Sequence, residues 1–111
     1  MEVTTKKLRR CDLVVAKGRI DSSTVKMLAE ALESIKEAGR YKIVFNMKDV
    51  TYISSSGLSE LIATQKTCKH LKRGELVLAE VPPRISEALE LAGLTPLFNT
   101  FDTEIEAVGN F

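Results

Sequence analysis

A chain of 111 residues with 44% apolar and 28% charged side chains has room for one hydrophobic core, and residues 1–111 read as a single domain. Sixteen basic against fifteen acidic residues leave a net charge of +1, which speaks against an electrostatic footprint for nucleic acid. No apolar run approaches the roughly 20 residues that cross a bilayer, and the N-terminus, Met-Glu-Val-Thr-Thr-Lys-Lys, lacks an apolar signal core, so a cytoplasmic protein without membrane insertion is expected.

Residues 3–8 form a short, mostly polar segment that reads as an edge strand. Leu13-Val14-Val15-Ala16 is a firmer strand, closed by Lys17-Gly18. The turn Gly18-Arg19-Ile20-Asp21 leads to Ser22-Ser23-Thr24, any of which, with Asp21, suits the cap of the next helix. In that helix Val25, Leu28, Ala29, Leu32 and Ile35 recur at helical spacing, and Gly39 stands where a left-handed residue ends it.

Residues 42–47 come next, with the run Ile43-Val44-Phe45-Asn46-Met47 expected of a strand buried on both faces. A loop over 49–58 then carries three adjacent hydroxyls, Ser54, Ser55 and Ser56. It opens a helix over about 57–71, with Leu58, Leu61, Ile62, Gln65 and Leu71 close to one stripe. Gly57 is expected to let the chain turn tightly into the first helical turn. The N–H groups that open a helix lack internal partners and carry partial positive charge. Ser55 or Ser56 suits the N-cap there, and a phosphoserine would place its charge where the dipole favours it.

Lys72-Arg73-Gly74 turns the chain into a second inner strand over 75–79. Pro82-Pro83 ends that strand and starts a helix with Ile85, Ala88, Leu89 and Ala92 on its buried face and Gly93 as its stop. Residues 97–101 read as a last short strand, and Thr103-x-x-Glu106 has the spacing of a capping box opening a terminal helix. Strands alternating with helices imply an α/β fold. Its mixed, largely parallel sheet has about four or five strands, an antiparallel pair at the N-terminal edge and about four covering helices.

Catalytic chemistry finds little support. A serine nucleophile needs a positioned base, and the only histidine, His70, lies on the order of 20 Å along the helix from Ser55. The serines sit in no Gly-x-Ser-x-Gly elbow, and no Gly-x-x-x-x-Gly-Lys loop cradles a nucleotide. Cys11 and Cys68 are far apart and with His70 make no zinc set, so two free thiols are expected. Glu60, Glu80, Glu87 and Glu90 read as solvated faces. No catalytic residue, metal or cofactor is expected.

Residues 43–58 resemble the signature of the STAS domain family, the anti-sigma-factor antagonists of bacteria: a hydrophobic strand, a short loop containing Asp, then Asp-Ser-Ser/Thr-Gly-Leu leading into a helix. Tyr52-Ile53-Ser54-Ser55-Ser56-Gly57-Leu58 overlays that motif without gaps, and Gly18-Arg19-Ile20-Asp21 is similar to the family's Gly-x-hydrophobic-Asp turn. The likeness runs on to Pro82-Pro83 and Ala92-Gly93-Leu94. It implies a small mixed sheet covered by helices, with the two turns side by side. The family's phosphorylated serine falls on Ser55, with Ser56 and Ser54 as alternates. The Asp before it is replaced by Ser54, the one clear departure.

The resemblance further implies a partner switch. The unphosphorylated domain, a monomer when free, binds an anti-sigma factor that is also a serine kinase holding the ATP, and so frees the sigma factor. Phosphorylation ends the binding. Asp21, Ser22, Ser54, Ser56, Gly57, Ser59 and Glu60 are the expected contact surface. The alternative, favoured by Ser54 in place of Asp, is a non-switching scaffold subunit of a lipid-transport or signalling assembly. A module binding a phosphate ligand at 54–57 is a third reading, and the absence of Lys or Arg in that loop opposes it.

Overall fold

The computed structural model of the chain describes residues 1–111. The elements in chain order are β1 (Glu2–Lys7), β2 (Asp12–Ile20), α1 (Val25–Glu37), β3 (Lys42–Ile53), α2 (Ser55–Lys69), β4 (Glu75–Ala79), α3 (Pro83–Leu91), β5 (Thr100–Phe101) and α4 (Glu104–Gly109). The strands lie in chain order in one five-stranded sheet. β1 pairs antiparallel with β2, and every later pair is parallel. Parallel neighbours need a crossover, which α1, α2 and α3 supply in turn.

β3 is the central strand, and its apolar run serves two layers. Ile43, Phe45 and Met47 join Val14, Ile20, Leu76 and Leu78 beneath Leu28 and Leu32 of α1, Leu61 of α2, and Ile85 and Leu89 of α3. Val44, between them, faces a smaller cluster with Leu13, Val77 and Ala79 under Ala107 of α4. Alternation along a strand sends neighbours to opposite faces, so a strand covered on both sides loses its polar half.

Two expected boundaries move, for one reason. β2 does not close at Lys17-Gly18, and β3 does not end at Met47; Lys17 pairs with Asp49, Arg19 with Tyr52 and Ile20 with Ile53. The pairing survives register shifts between Val15 and Lys17 and between Gly18 and Arg19. Those bulges disguise the strand in the sequence by breaking its period of two. Gly18, at φ 101°, takes the backbone conformation the bulge requires. The first half of the expected 49–58 loop, residues 49–53, is therefore strand and the rest, after Ser54, is already helix, and the turn after β2 starts at Asp21 rather than Gly18.

Other differences are local. α2 ends at Lys69, and Leu71 lies beyond it, left-handed and 71% exposed, outside the helical stripe. Ala92 follows α3 and is exposed. Residues 95–97 form a helical turn, which leaves only Thr100 and Phe101 for β5. Thr103 caps α4, its Oγ accepting from the Glu106 N–H at 3.1 Å, as the capping-box spacing implies. Glu80 is not a solvated surface group. Its Oε2 accepts from the Asn46 amide at 3.3 Å and the Glu104 N–H at 3.1 Å, while Asn46 also donates to Glu104 Oε1 at 2.8 Å. The three side chains fasten α4 to the sheet.

α2 is held by polar contacts as well as apolar ones. The buried Gln65 amide donates to the Leu76 carbonyl at 3.0 Å and the Leu97 carbonyl at 2.8 Å, and accepts from the Leu76 N–H at 2.7 Å. It thereby serves backbone groups of β4 as another strand would. Gln65→Ala strands these groups away from water, at roughly 1–3 kcal/mol for each buried group left unmade. A loss of about 3 kcal/mol in urea unfolding is expected; a loss below about 1 kcal/mol would show that water takes the place of the amide.

Candidate functional site

β2 and β3 finish level with each other. After the Ile20–Ile53 pair, the Ser54 N–H donates to the Ile20 carbonyl at 2.8 Å, and this bond closes the β2–β3 pairing. Only Ser54 then separates β3 from α2. The turn over 21–24 and the serine segment therefore emerge side by side, as the family resemblance implies.

The three hydroxyls differ in their engagements. Ser54, in extended conformation, is the N-cap of α2, where Ser55 or Ser56 was expected. Its Oγ accepts from the Gly57 N–H at 3.3 Å, and its carbonyl accepts from the Leu58 N–H at 2.9 Å. Ser56 Oγ lies 2.7 Å from Ser54 Oγ, in a hydrogen bond between the two hydroxyls. Ser55 is exposed, and its hydroxyl has no hydrogen-bond partner within the chain. As the first helical residues, Ser55 and Ser56 also carry N–H groups with no intrahelical acceptor.

Gly57 has a different task from the tight turn expected of it. It is buried, its φ is not positive, and a Cβ there would meet Ile53 Cγ1 at 2.7 Å and Ile20 Cγ2 at 2.8 Å. The missing side chain lets the first turn of α2 rest directly on the last pair of strand residues. Gly57 is thus a packing position. Ser59 is exposed, whereas Glu60 is half-buried, takes a 3.4 Å bond from the Thr64 hydroxyl, and lines the groove between α1 and α2.

On the neighbouring turn, Asp21 organises its own loop. Its Oδ1 accepts from the Ser23 hydroxyl at 2.6 Å and the Ser23 N–H at 3.0 Å, with the Thr24 hydroxyl at 3.3 Å. Thr24 holds the N-cap position of α1 without a side-chain cap bond; its hydroxyl donates to the Arg19 carbonyl instead, at 2.8 Å. The Ser23 hydroxyl, chiefly, keeps the Asp21 carboxyl below the usual carboxylate range; burial opposes it, and the Ser23 N–H, Thr24 and Arg19 add to the lowering. Ser22 is exposed on the same turn.

Two residues that the sequence motifs contain, but to which no role was assigned, complete this edge. The Arg19 guanidinium lies 4.2 Å from the centre of the Tyr52 ring, and its Nε is 3.6 Å from Asp21 Oδ2. Tyr52 is 40% exposed. Finding this pair required the register of β2 on β3, which the bulges hide.

The chemistry the site can do is narrow. His70 is the C-cap of α2, at the opposite end of the helix from Ser55. Both cysteines are buried and unpaired; burial pushes the Cys68 thiol up to about 11 and raises that of Cys11 as well. No three side chains of metal-ligating type gather anywhere in the chain. What stands at the edge is one free hydroxyl at a helix start, which can accept a group from an enzyme and display it.

Comparison with known proteins places this architecture. The family model described as the STAS domain matches residues 2–107. The chain is 32% identical to the anti-sigma-B factor antagonist of Staphylococcus aureus over 90 residues, 80% of this chain and 82% of that protein. Among solved structures, the anti-sigma factor antagonist SpoIIAA in its unphosphorylated form superposes with a TM-score of 0.82 at 17% identity, covering 98% of this chain and 95% of that one. The phosphorylated form of the Bacillus cell fate determinant SpoIIAA gives 0.76 at 17% identity, covering 98% of each chain.

Gly57→Ala gains about 1 kcal/mol of helix propensity but overpacks Ile20 and Ile53, which costs roughly 1–3 kcal/mol. A net loss of about 1 kcal/mol is expected in chemical denaturation, whereas a tight turn alone would predict no clash at this φ. The lowered Asp21 pKa implies that its contribution to the turn is fully present above the ordinary carboxylate value, about 3.9, and is lost as pH falls through the folded value. A carboxyl-carbon NMR titration should show the Asp21 midpoint below about 3.9, and Ser23→Ala should move it up; no movement would remove Ser23 as the cause.

Proposed function

This chain belongs to the STAS domain family, and on that premise we propose that it is an anti-sigma-factor antagonist whose binding is switched off by phosphorylation of Ser55. One observation carries the choice of acceptor: of three adjacent hydroxyls, Ser54 and Ser56 bind each other, Ser54 also caps the helix, and Ser55 alone is exposed and free. A kinase needs a hydroxyl that can enter its own site without first breaking the fold. The name of the Staphylococcus aureus relative supports the partner class, an anti-sigma factor.

In this reading the unphosphorylated chain binds an anti-sigma factor that is also a serine kinase, and so releases the sigma factor. The partner holds ATP and Mg²⁺; this chain works as a binding module in the cytoplasm, not as an enzyme. Ser54, Ser56, Asp21, Ser22 and Ser59 border Ser55 on the contact surface, and Arg19 and Tyr52 extend it. Phosphorylation adds roughly 1.5 to 2 negative charges. In an interface packed around a neutral hydroxyl, that charge brings desolvation cost and repulsion from facing carboxylates. The fold can host the anion, because the N–H groups of the first turn of α2 point outward from a positive helix end. Ser54 assists here: it caps the helix with a neutral oxygen where the family pattern has a carboxylate, so the phosphate meets one fewer negative charge.

The decisive experiment mixes the purified chain with the anti-sigma kinases of its own organism and ATP, followed by mass spectrometry. Wild type should take one phosphate and Ser55→Ala none, and the phosphorylated form should bind the kinase at least about tenfold more weakly, a difference of about 1.4 kcal/mol. Ser55→Ala should keep wild-type stability, because the side chain is exposed and unbonded. Phosphate on Ser54 or Ser56 would relocate the acceptor. No phosphorylation by any cognate kinase would favour a non-switching scaffold.

A further inference from the structure

The opposite end of the sheet has a different chemistry. There the starts of β2, β3 and β4 come together, and a cavity of about 190 Å³ is lined by Arg10, Asp12, Arg40, Tyr41, Lys42 and Arg73, among others. Four cations thus face one carboxylate. They arrive from four separate places: the β1–β2 connection, the turn after α1, the first residue of β3 and the turn after α2.

The single carboxylate is already spent. Asp12 is buried and pairs with Arg40 Nε, while Arg40 Nη2 donates to the Leu8 carbonyl at 2.7 Å and the Cys11 carbonyl at 3.1 Å. Arg40 is therefore the rigid floor of the cavity. Arg10, Lys42 and Arg73 form no ion pair. Arg73 is nevertheless held in place: its guanidinium lies 5.0 Å from the centre of the Tyr41 ring and donates to the Tyr41 hydroxyl at 3.1 Å. A concave site with unpaired guanidinium and ammonium donors around a preset ring has the complementarity of an oxyanion, which planar guanidinium groups bind by paired hydrogen bonds.

We infer that this end of the sheet, where β2, β3 and β4 start, is a second binding site, remote from Ser55, which takes a phosphate-type oxyanion between Arg10, Lys42 and Arg73. The site is independent of the partner switch, because none of its residues belongs to the serine edge. Its cavity accommodates a phosphate group, and the exposed side of Tyr41 offers a surface to the organic part of a phosphate ester.

The test is an amide NMR titration of the ¹⁵N-labelled chain with inorganic phosphate and, separately, with phenyl phosphate, at ionic strength held constant with sodium chloride. Saturable shifts are expected at Cys11, Gly39, Arg40 and Lys42. The double variant Lys42→Gln/Arg73→Gln should weaken binding about tenfold or more, and Lys48→Gln, a surface cation outside the cavity, should leave it unchanged. Tighter binding of phenyl phosphate supports the site and assigns it to esterified phosphate; equal or tighter binding of inorganic phosphate supports it and assigns it to the free anion. Shifts that grow without saturation, shifts confined to residues 54–57, or full binding by the double variant overturn the inference. Should the double variant fail to fold, Arg10→Gln in the β1–β2 connection takes its place with the same expectation.

Discussion

The hydrogen bond from Ser54 N–H to the Ile20 carbonyl is the constraint on which the serine edge depends. It ends two parallel strands at the same level, so that the turn after β2 and the start of α2 share one surface. The contact of Gly57 with Ile20 and Ile53 reinforces it from above, since the helix can sit on the sheet only where no Cβ intervenes. With strand end, cap and helix start fixed within four residues, Ser55 has one place to go. Ser55 is exposed and its hydroxyl unbonded, while the hydroxyls on both sides of it are engaged with each other. A free hydroxyl in a rigid setting is well suited to a switch, because modification changes charge without requiring the backbone to move.

Polar groups also join the layers elsewhere. Gln65 binds α2 to β4, Glu80 and Asn46 bind α4 to the sheet, and Arg40 with Asp12 closes the N-terminal end. In each case a buried or half-buried side chain satisfies groups far away in the sequence, and unmade bonds there would cost more than the bonds themselves gain. Such side chains set the register between layers, where apolar contacts alone tolerate sliding. Glu80 shows the demand most clearly: it accepts a left-handed φ of 53° while its carboxylate reaches both Asn46 and α4.

The two ends of the sheet carry opposite chemistry under a net charge of only +1. At the C-terminal end lie hydroxyls, with Asp21 and Arg19 balancing each other; at the N-terminal end lies a cavity with four cations, whose one lining carboxylate is paired with Arg40. Overall charge therefore conceals a polarity that folding creates. It gathers residues 10, 40, 42 and 73 around one cavity, and residues 19, 21, 52 and 55 along one edge.

Much of this was legible in the amino-acid sequence. The helical spacing of Leu28, Leu32 and Ile35, the two-sided apolar run of Ile43 to Met47, Pro83 at a helix start and Thr103 at another follow from local stereochemistry, so chain order alone determined the α/β alternation and the mixed sheet. The motif around Ser55 was legible too, because residue types and spacing define it. Tertiary structure alone decided the rest. The strands ran on to Ile20 and Ile53 because bulges preserve pairing while erasing the period of two. Ser54 became the cap because Ile20 holds its N–H, and Gly57 proved necessary for packing because two isoleucines, distant in sequence from each other, lie beneath it. Partners remote in sequence, whether Arg19 with Tyr52 or Arg73 with Tyr41, leave no local signature; only the register of the folded sheet brings them into contact.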